Sequence, residues 1–137
     1  MLDLSGAALE AARQRLGSRA DRVHWVVADA TIWEPVKAYD IWHDRAAFHF
    51  LTDEQDRAAY IARLTRGVSA GGHAIIATFA LDGPEKCSGL PVARYDSASL
   101  GKVLGSTFQL VHTRRHEHAT PWGTQQMFQF SVFRREA

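Results

Sequence analysis

The spacing of apolar residues along the chain predicts short strands that alternate with helices. A brief apolar stretch at 1–4 precedes the segment 6–16, in which apolar residues recur at helical spacing. The stretches 23–28 and 39–42 are rich in β-branched and aromatic residues, which favour strands. The run 73–79 is almost continuously apolar, as is typical of a strand buried on both faces.

A second helix is predicted between the third and fourth of these strands. Thr52 and Gln55 match the capping-box pattern, and the helix is expected to end near Arg66. Gly71 and Gly72 follow it and predict a turn into the fourth strand, because glycine is frequent where the chain changes direction.

The C-terminal part predicts a short helix and a hairpin. Asp96 can cap the helix, and the strand-like runs 108–117 and 125–134 flank a Pro- and Gly-containing turn. The complete order predicts a single α/β domain over residues 1–137, with a Rossmann-like, mostly parallel sheet, helices on both faces and a C-terminal antiparallel hairpin. Ligands bind such sheets beyond the carboxyl ends of the strands.

Composition narrows the classes of partner. The chain is 46% hydrophobic and 23% charged, which is ordinary globular usage. Its formal net charge of +1 carries no basic excess, so no nucleic-acid partner is expected. Cys87 is the single cysteine and cannot form an internal disulfide, which favours a cytoplasmic setting. No apolar run approaches the roughly 18 residues of a membrane span, so no membrane partner is expected either.

Two carboxylates lie where the first two predicted strands end, at the edge where a ligand is expected. Asp3 precedes a helix start and can accept hydrogen bonds from a ribose diol, or act only as an acid favoured by the helix dipole. Asp29 follows the second strand and can accept from an adenine amino group, or cap its own loop.

Four motifs occur in order along the chain: LDLS at 2–5, VVADA at 26–30, YDIWHDRA at 39–46 and GGHAII at 71–76. Together they resemble the class I S-adenosylmethionine-dependent methyltransferases, and within that family the enzymes that act on small molecules. The resemblance implies S-adenosylmethionine as the cofactor and a small-molecule substrate. It also implies that Asp3 holds the ribose, and that Asp29 and Ala30 hold the adenine.

The chain departs from this family at its beginning. Met1 stands directly before the match to the family's second strand, and no Gly-x-Gly motif occurs. We therefore expect a truncated methyltransferase-like domain that lacks the first β-α unit and binds its cofactor poorly, because glycine lets the backbone approach the cofactor closely. Since the missing strand is the central one, we expect either a homo-oligomer formed through exposed sheet edges or pairing of the family's second strand with its fourth.

Histidines near the same edge of the sheet suggest a second chemistry. His43 and Asp44 follow the third predicted strand, and His116 and His118 share one face of a later strand. His43 or Asp44 can take a proton from a substrate. All four side chains can instead ligate a divalent metal such as zinc or manganese, or simply be polar residues at the mouth of a cleft.

Three functional hypotheses follow from the sequence. The first is a methyltransferase-like protein that acts on a small molecule, with transfer favoured mainly by proximity of the reacting groups. The second is a metal-dependent hydrolase of esters or phosphoesters that uses the His and Asp cluster. The third is a non-catalytic module that oligomerises or binds a partner.

Overall fold

The computed structural model describes residues 1–137, which separate into two compact units, Met1–Glu34 and Pro35–Ala137. No helix is long and apolar enough to cross a membrane. That both units form a single domain remains a prediction.

The first unit holds one helix and a pair of short parallel strands: β1 (Leu2–Asp3), α1 (Gly6–Leu16) and β2 (Val26–Val27). Ser5 caps α1 as predicted, because its Oγ accepts a hydrogen bond of 3.1 Å from the Ala8 N–H. Gly17 ends the helix with a φ of 57°, a conformation that favours glycine. The second predicted strand is shorter than the stretch 23–28, because only two of its residues pair with β1.

The second unit is built on a four-stranded sheet. Its elements are β3 (Tyr39–Arg45), α2 (Glu54–Gly67), β4 (Val68–Phe79), β5 (Lys86–Cys87), β6 (Leu90–Pro91), α3 (Ser97–Leu104), β7 (Phe108–Ala119) and β8 (Gln125–Arg135). The strand order is β3-β4-β8-β7, with β3 and β4 parallel and the other neighbours antiparallel. The short strands β5 and β6 form a separate hairpin. The α/β class and the C-terminal antiparallel hairpin are thereby confirmed.

One local prediction needs correction, and a second gains detail from the structure. The N-cap of α2 is Asp53 and not Thr52, since the Asp53 carboxylate accepts a hydrogen bond of 2.7 Å from the Gln55 N–H. Gly71 and Gly72 lie within the bounds of β4, but residues 69–72 pair with neither neighbouring strand, and Gly71 has a φ of 80°, so the regular ladder begins only at His73. A Cβ on Gly72 would lie 2.8 Å from the Asp40 carbonyl oxygen, so the close approach of β3 to β4 requires glycine there.

The sequence predicts that a missing central strand is replaced either by a second copy of the chain or by a new strand pair. β1 is hydrogen-bonded to β2 alone, and β3 is hydrogen-bonded to β4 alone, so the family's second strand does not pair with its fourth. β3 is therefore an edge strand, and Ile41 on it is 62% exposed. Formation of a homo-oligomer through exposed edges remains a prediction.

Both helices of the second unit cover the same face of its sheet. Directly paired residues share a face, and one row across the four strands consists of Asp44, Ile76, Ser131 and Thr113. Tyr60 of α2 contacts Asp44, and Ser97 of α3 contacts both Thr113 and Ser131. We call this the helix face, and the opposite side of the four-stranded sheet the second face.

The core of this unit lies between the helix face and the two helices. Tyr60 and Leu64 of α2, Leu100 of α3 and Phe133 of β8 are fully buried, together with Phe48 from the turn after β3. Burial of side chains of this size is the main source of stability, at about 1.5–3 kcal/mol each.

Gly67 offers a test of the packing between α2 and β3. A Cβ at this position would lie 2.8 Å from Cζ3 of Trp42 and 3.3 Å from Cγ of Pro35. We expect Gly67→Ala to lower the free energy of unfolding by about 1–3 kcal/mol, because the added methyl group overpacks a filled site.

Gly101→Ala in α3 is the matched control for denaturant unfolding. The nearest atom to its Cβ would be Cε1 of Phe133 at 3.6 Å, an ordinary contact, and alanine favours the helix by about 0.5–1 kcal/mol. Equal destabilisation by both substitutions would contradict the packing described here.

Candidate functional site

Asp44 lies near the carboxyl end of β3 and is 5% exposed. Its Oδ1 accepts a hydrogen bond of 2.7 Å from the Ala47 N–H, and its Oδ2 accepts bonds of 3.1 Å from the Phe48 N–H and 2.5 Å from the Tyr60 hydroxyl. The Trp42 indole N–H donates to the same hydroxyl at 3.0 Å. Asp44 therefore ties the turn after β3 to helix α2.

This environment changes the acid–base properties of Asp44 and Tyr60. Burial raises the pKa of the Asp44 carboxyl, while its hydrogen bonds from Tyr60 and the turn partly offset that rise. Burial, followed by the nearby Asp44 carboxylate, raises the pKa of Tyr60 well above 10. Both oxygens of Asp44 are committed inside the protein, so its geometry fits a structural role better than proton transfer to a bound substrate.

Removal of the Tyr60 hydroxyl tests how far the fold depends on this pair. We expect Tyr60→Phe to lower the free energy of unfolding by about 1–3 kcal/mol, because a buried carboxylate loses a donor while the aromatic packing is kept. Tyr39→Phe is the control, since Tyr39 is a half-buried residue of β3 with no hydroxyl hydrogen bond. Equal effects in chemical denaturation would show that the Tyr60–Asp44 bond contributes nothing specific.

A cavity of about 240 Å³ opens on the second face at the carboxyl ends of β3 and β4. Its lining consists of Arg45, Ala46, Ala77, His116, His118, Phe128 and Phe130. The residues Arg45, Ala77 and Phe130 form one row across β3, β4 and β8, adjacent to the Asp44 row and hence on the opposite face. His116 pairs with Phe128 on the same face of the hairpin.

The two hairpin histidines meet the aromatic wall of this cavity edge-on. The His116 ring centroid is 6.3 Å from that of Phe130, and the His118 ring centroid is 6.0 Å from that of Phe128. Ala46 enters the turn beside them with a φ of 63°, which is rare for a residue other than glycine. The cavity thus combines two imidazoles, one guanidinium and two phenyl rings.

Only two of the four residues in the predicted His and Asp cluster lie together in the structure. His116 and His118 come together in the cavity, whereas Asp44 is buried on the helix face and His43 does not line the cavity. No group of three or more His, Cys, Asp or Glu side chains is placed to hold a metal ion. The predicted metal set of His43, Asp44, His116 and His118 is thus corrected, because Asp44 is buried on the helix face and the three histidines, although on the second face, do not form a ligand group.

Arg45 and Phe130 were missed as site residues by the sequence reasoning. A usable signal was present, since Arg45 lies two residues after His43 in a strand and therefore shares its face. Phe130 could be recognised only through its cross-strand pairing with Ala77 and Arg114, which depends on the register of three strands.

His49 is a buried residue outside the cavity. Its Nδ1 accepts a hydrogen bond of 3.1 Å from the Phe79 N–H, and the Phe50 and Phe79 rings lie 4.7 and 4.8 Å from its centroid. Its Nε2 is buried without a hydrogen-bond partner. Burial lowers the pKa of His49 to about 4, so the folded protein holds it in the neutral form.

Acid should therefore destabilise the protein through His49. The folded pKa lies below the ordinary unfolded value of about 6.5, so its contribution is complete above that value and is lost as the pH falls towards 4. We expect this residue to make the free energy of unfolding about 2 kcal/mol lower at pH 5 than at pH 7.5.

His49→Asn keeps an acceptor for the Phe79 N–H and should flatten that part of the pH profile, measured by urea unfolding. His24→Asn, at an exposed position, should leave the slope unchanged. An unaltered slope in His49→Asn would contradict the assignment.

In the first unit, two carboxylates mark the ends of adjacent parallel strands. Asp3 Oδ1 accepts a hydrogen bond of 2.8 Å from the Ser5 N–H, and Asp29 Oδ1 accepts bonds from the N–H and hydroxyl of Thr31 at 2.8 and 2.7 Å. Neither Oδ2 accepts a hydrogen bond within the protein. Each carboxylate thus keeps one oxygen available for a ligand.

A second hollow of the first unit is wide and open. It has a volume of about 510 Å³ and is lined by Arg13 and by residues 21–25, with the Arg13 guanidinium 5.3 Å from the Trp25 ring centroid. Neither Asp3 nor Asp29 lines it.

No family model matches the chain, and no curated protein sequence matches it. Solved structures do resemble it. The N-methyltransferase NodS from Bradyrhizobium japonicum WM9, in complex with S-adenosyl-L-homocysteine, superposes with a TM-score of 0.69 at 16% identity, over 99% of this chain and 65% of that chain. The 1,6-didemethyltoxoflavin-N1-methyltransferase of Burkholderia thailandensis gives 0.74 at 19%, over 99% and 60%. A methyltransferase from Methanosarcina mazei gives 0.73 at 11%, over 98% and 80%.

These similarities extend over both units and nearly the whole chain, although the chain spans only 60–80% of the lengths of these three proteins. Identities of 11–19% show a shared fold. The chain has the fold of the class I S-adenosylmethionine-dependent methyltransferases.

Proposed function

We propose that the chain is an S-adenosylmethionine-dependent methyltransferase-like protein that acts on a small molecule. The observation that carries this proposal is the fold, which 98–99% of the chain shares with methyltransferases. Two of those structures contain S-adenosylhomocysteine, and the Burkholderia thailandensis enzyme also contains its small-molecule acceptor. The geometry does not favour the metal-dependent hydrolase, because no group of three or more His, Cys, Asp or Glu side chains is placed to hold a metal ion.

The first unit fits the adenosine end of the cofactor. The free Oδ2 of Asp3 is suited to accept from the ribose hydroxyls, and the free Oδ2 of Asp29 to accept from the adenine amino group. The Ala30 N–H, which has no acceptor within the protein, is a donor beside it. When bound, S-adenosylmethionine supplies an activated methyl group.

The fit to the rest of the cofactor is incomplete. A Cβ on Gly6 would meet its nearest neighbour at 3.7 Å and one on Gly17 would meet nothing within 4 Å, so neither glycine marks a close backbone approach. We therefore expect the adenosine contacts to supply most of the affinity, and the affinity to be low.

The second unit offers side chains for the acceptor molecule. His116 and His118 line the cavity and are exposed, so a neutral imidazole there can take a proton from an acceptor nitrogen or oxygen. They replace Asp44 in this role, since its oxygens are occupied. His43 remains a candidate, because it is exposed and shares the second face with Arg45.

Calorimetric titration with S-adenosylhomocysteine tests the cofactor part. We expect the wild-type chain to bind with a Kd below about 1 mM, equivalent to about 4 kcal/mol. Asp3→Asn and Asp29→Asn should each weaken binding about tenfold, because they remove the charged acceptor but keep an oxygen for the local turn.

Asp21→Asn is the matched control, since it removes one exposed carboxylate of the same unit. Its Kd should equal that of the wild type. Absence of binding to the wild type, or the same loss in all three variants, would contradict the assignment of Asp3 and Asp29.

A further inference from the structure

We propose that the cavity beside Arg45 binds a small planar anion, namely a carboxylate carried on a single aromatic ring. The statement that this anion is the methyl acceptor rests on the proposed function. The binding itself follows from the charge, shape and size of the cavity in the second unit.

The charge of the second face is one-sided. Its paired strand residues are Ile41, His43, Arg45, His73, Ile75, Ala77, Phe79, Gln109, His112, Arg114, His116, His118, Gln126, Phe128, Phe130, Val132 and Arg134. No carboxylate occurs among them, because Asp44 and Glu117 alternate to the helix face. Among the residues that line the cavity there is likewise no carboxylate, so an anion there contacts neutral or cationic side chains.

Arg45 is the cation that can bind such an anion. It is exposed, lines the cavity and has no carboxylate partner within the protein. Arg115, by contrast, is already held by Asp82, with its Nη2 2.6 Å from both carboxylate oxygens. A free guanidinium presents two parallel N–H donors, which match the two oxygens of a carboxylate.

The apolar wall selects a flat molecule. The Phe128 and Phe130 rings lie 6.3 Å apart with an angle of 41° between their planes, and Phe79 packs against Phe128 at 5.0 Å. Two small residues, Ala46 and Ala77, leave space in front of these rings. Aromatic pairs in offset or edge-on contact are stabilised beyond the area that they bury, so these rings favour an aromatic ligand.

The size of the cavity favours a ligand with one ring. The cavity volume of about 240 Å³ lies below the roughly 300–1,000 Å³ of sites for drug-sized ligands. The imidazoles of His116 and His118 at the rim can hydrogen-bond a hydroxyl or amino substituent on that ring. The ligand class is thus a benzoate that carries a polar substituent, and benzoate itself is the simplest probe.

Binding of benzoate to the cofactor-free chain, followed by NMR chemical shifts, tests the inference. We expect saturable binding of benzoate, with benzamide and acetate each at least tenfold weaker, because the first lacks the charge and the second lacks the ring. Arg45→Gln should reduce benzoate affinity at least tenfold without changing the melting temperature.

Arg114→Gln is the matched control, because Arg114 lies on the same face but does not line the cavity. It should change the affinity less than twofold. Equal binding of benzoate and benzamide, an unchanged Arg45→Gln variant, or an equal loss in Arg114→Gln would overturn the proposal.

The two proposals can fail separately. Benzoate binding with no response to S-adenosylhomocysteine would keep the anion site and remove the methyltransferase assignment. Binding of S-adenosylhomocysteine with no selectivity for benzoate would do the reverse.

Discussion

A single buried carboxylate organises the region on which the cavity depends. Asp44 receives hydrogen bonds from two backbone N–H groups of the turn after β3 and from the Tyr60 hydroxyl, which is itself held by Trp42. An unpaired charge at this depth would be costly, so each of the three donors stabilises the turn. Because Arg45 ends β3 and Ala46 begins that turn, their positions at the cavity depend on a network on the other side of the sheet.

Strand alternation places the core residues and the cavity residues of the second unit on opposite faces of its sheet. The helix face carries Asp44, Ile76 and Ser131, which are buried against α2 and α3. The second face, one residue out of phase, carries exposed basic side chains and the cavity. A shift of register by one residue would exchange these two sets, so the same pairing that stabilises the core also determines which residues can meet a ligand.

Local rules predicted the elements well and the site only in part. The caps at Ser5 and Asp96 follow from short-range hydrogen bonding, and both were predicted. The role of Asp44 depends on Tyr60, sixteen positions away, and no local pattern reports that contact. The irregular segment at Gly71 and Gly72 is visible in the sequence, but the need for glycine at position 72 depends on the nearby Asp40 carbonyl of β3, which no local pattern reports.

The position of β8 has a consequence for how the protein is made. This strand comes after both of its partners in the chain, yet it lies between β4 and β7. During synthesis on the ribosome, β4 must therefore wait with one edge open until residues 125–135 have left the exit tunnel. Because the open edge of β4 could pair with other chains, we expect chaperones to bind this strand before β8 has been synthesised.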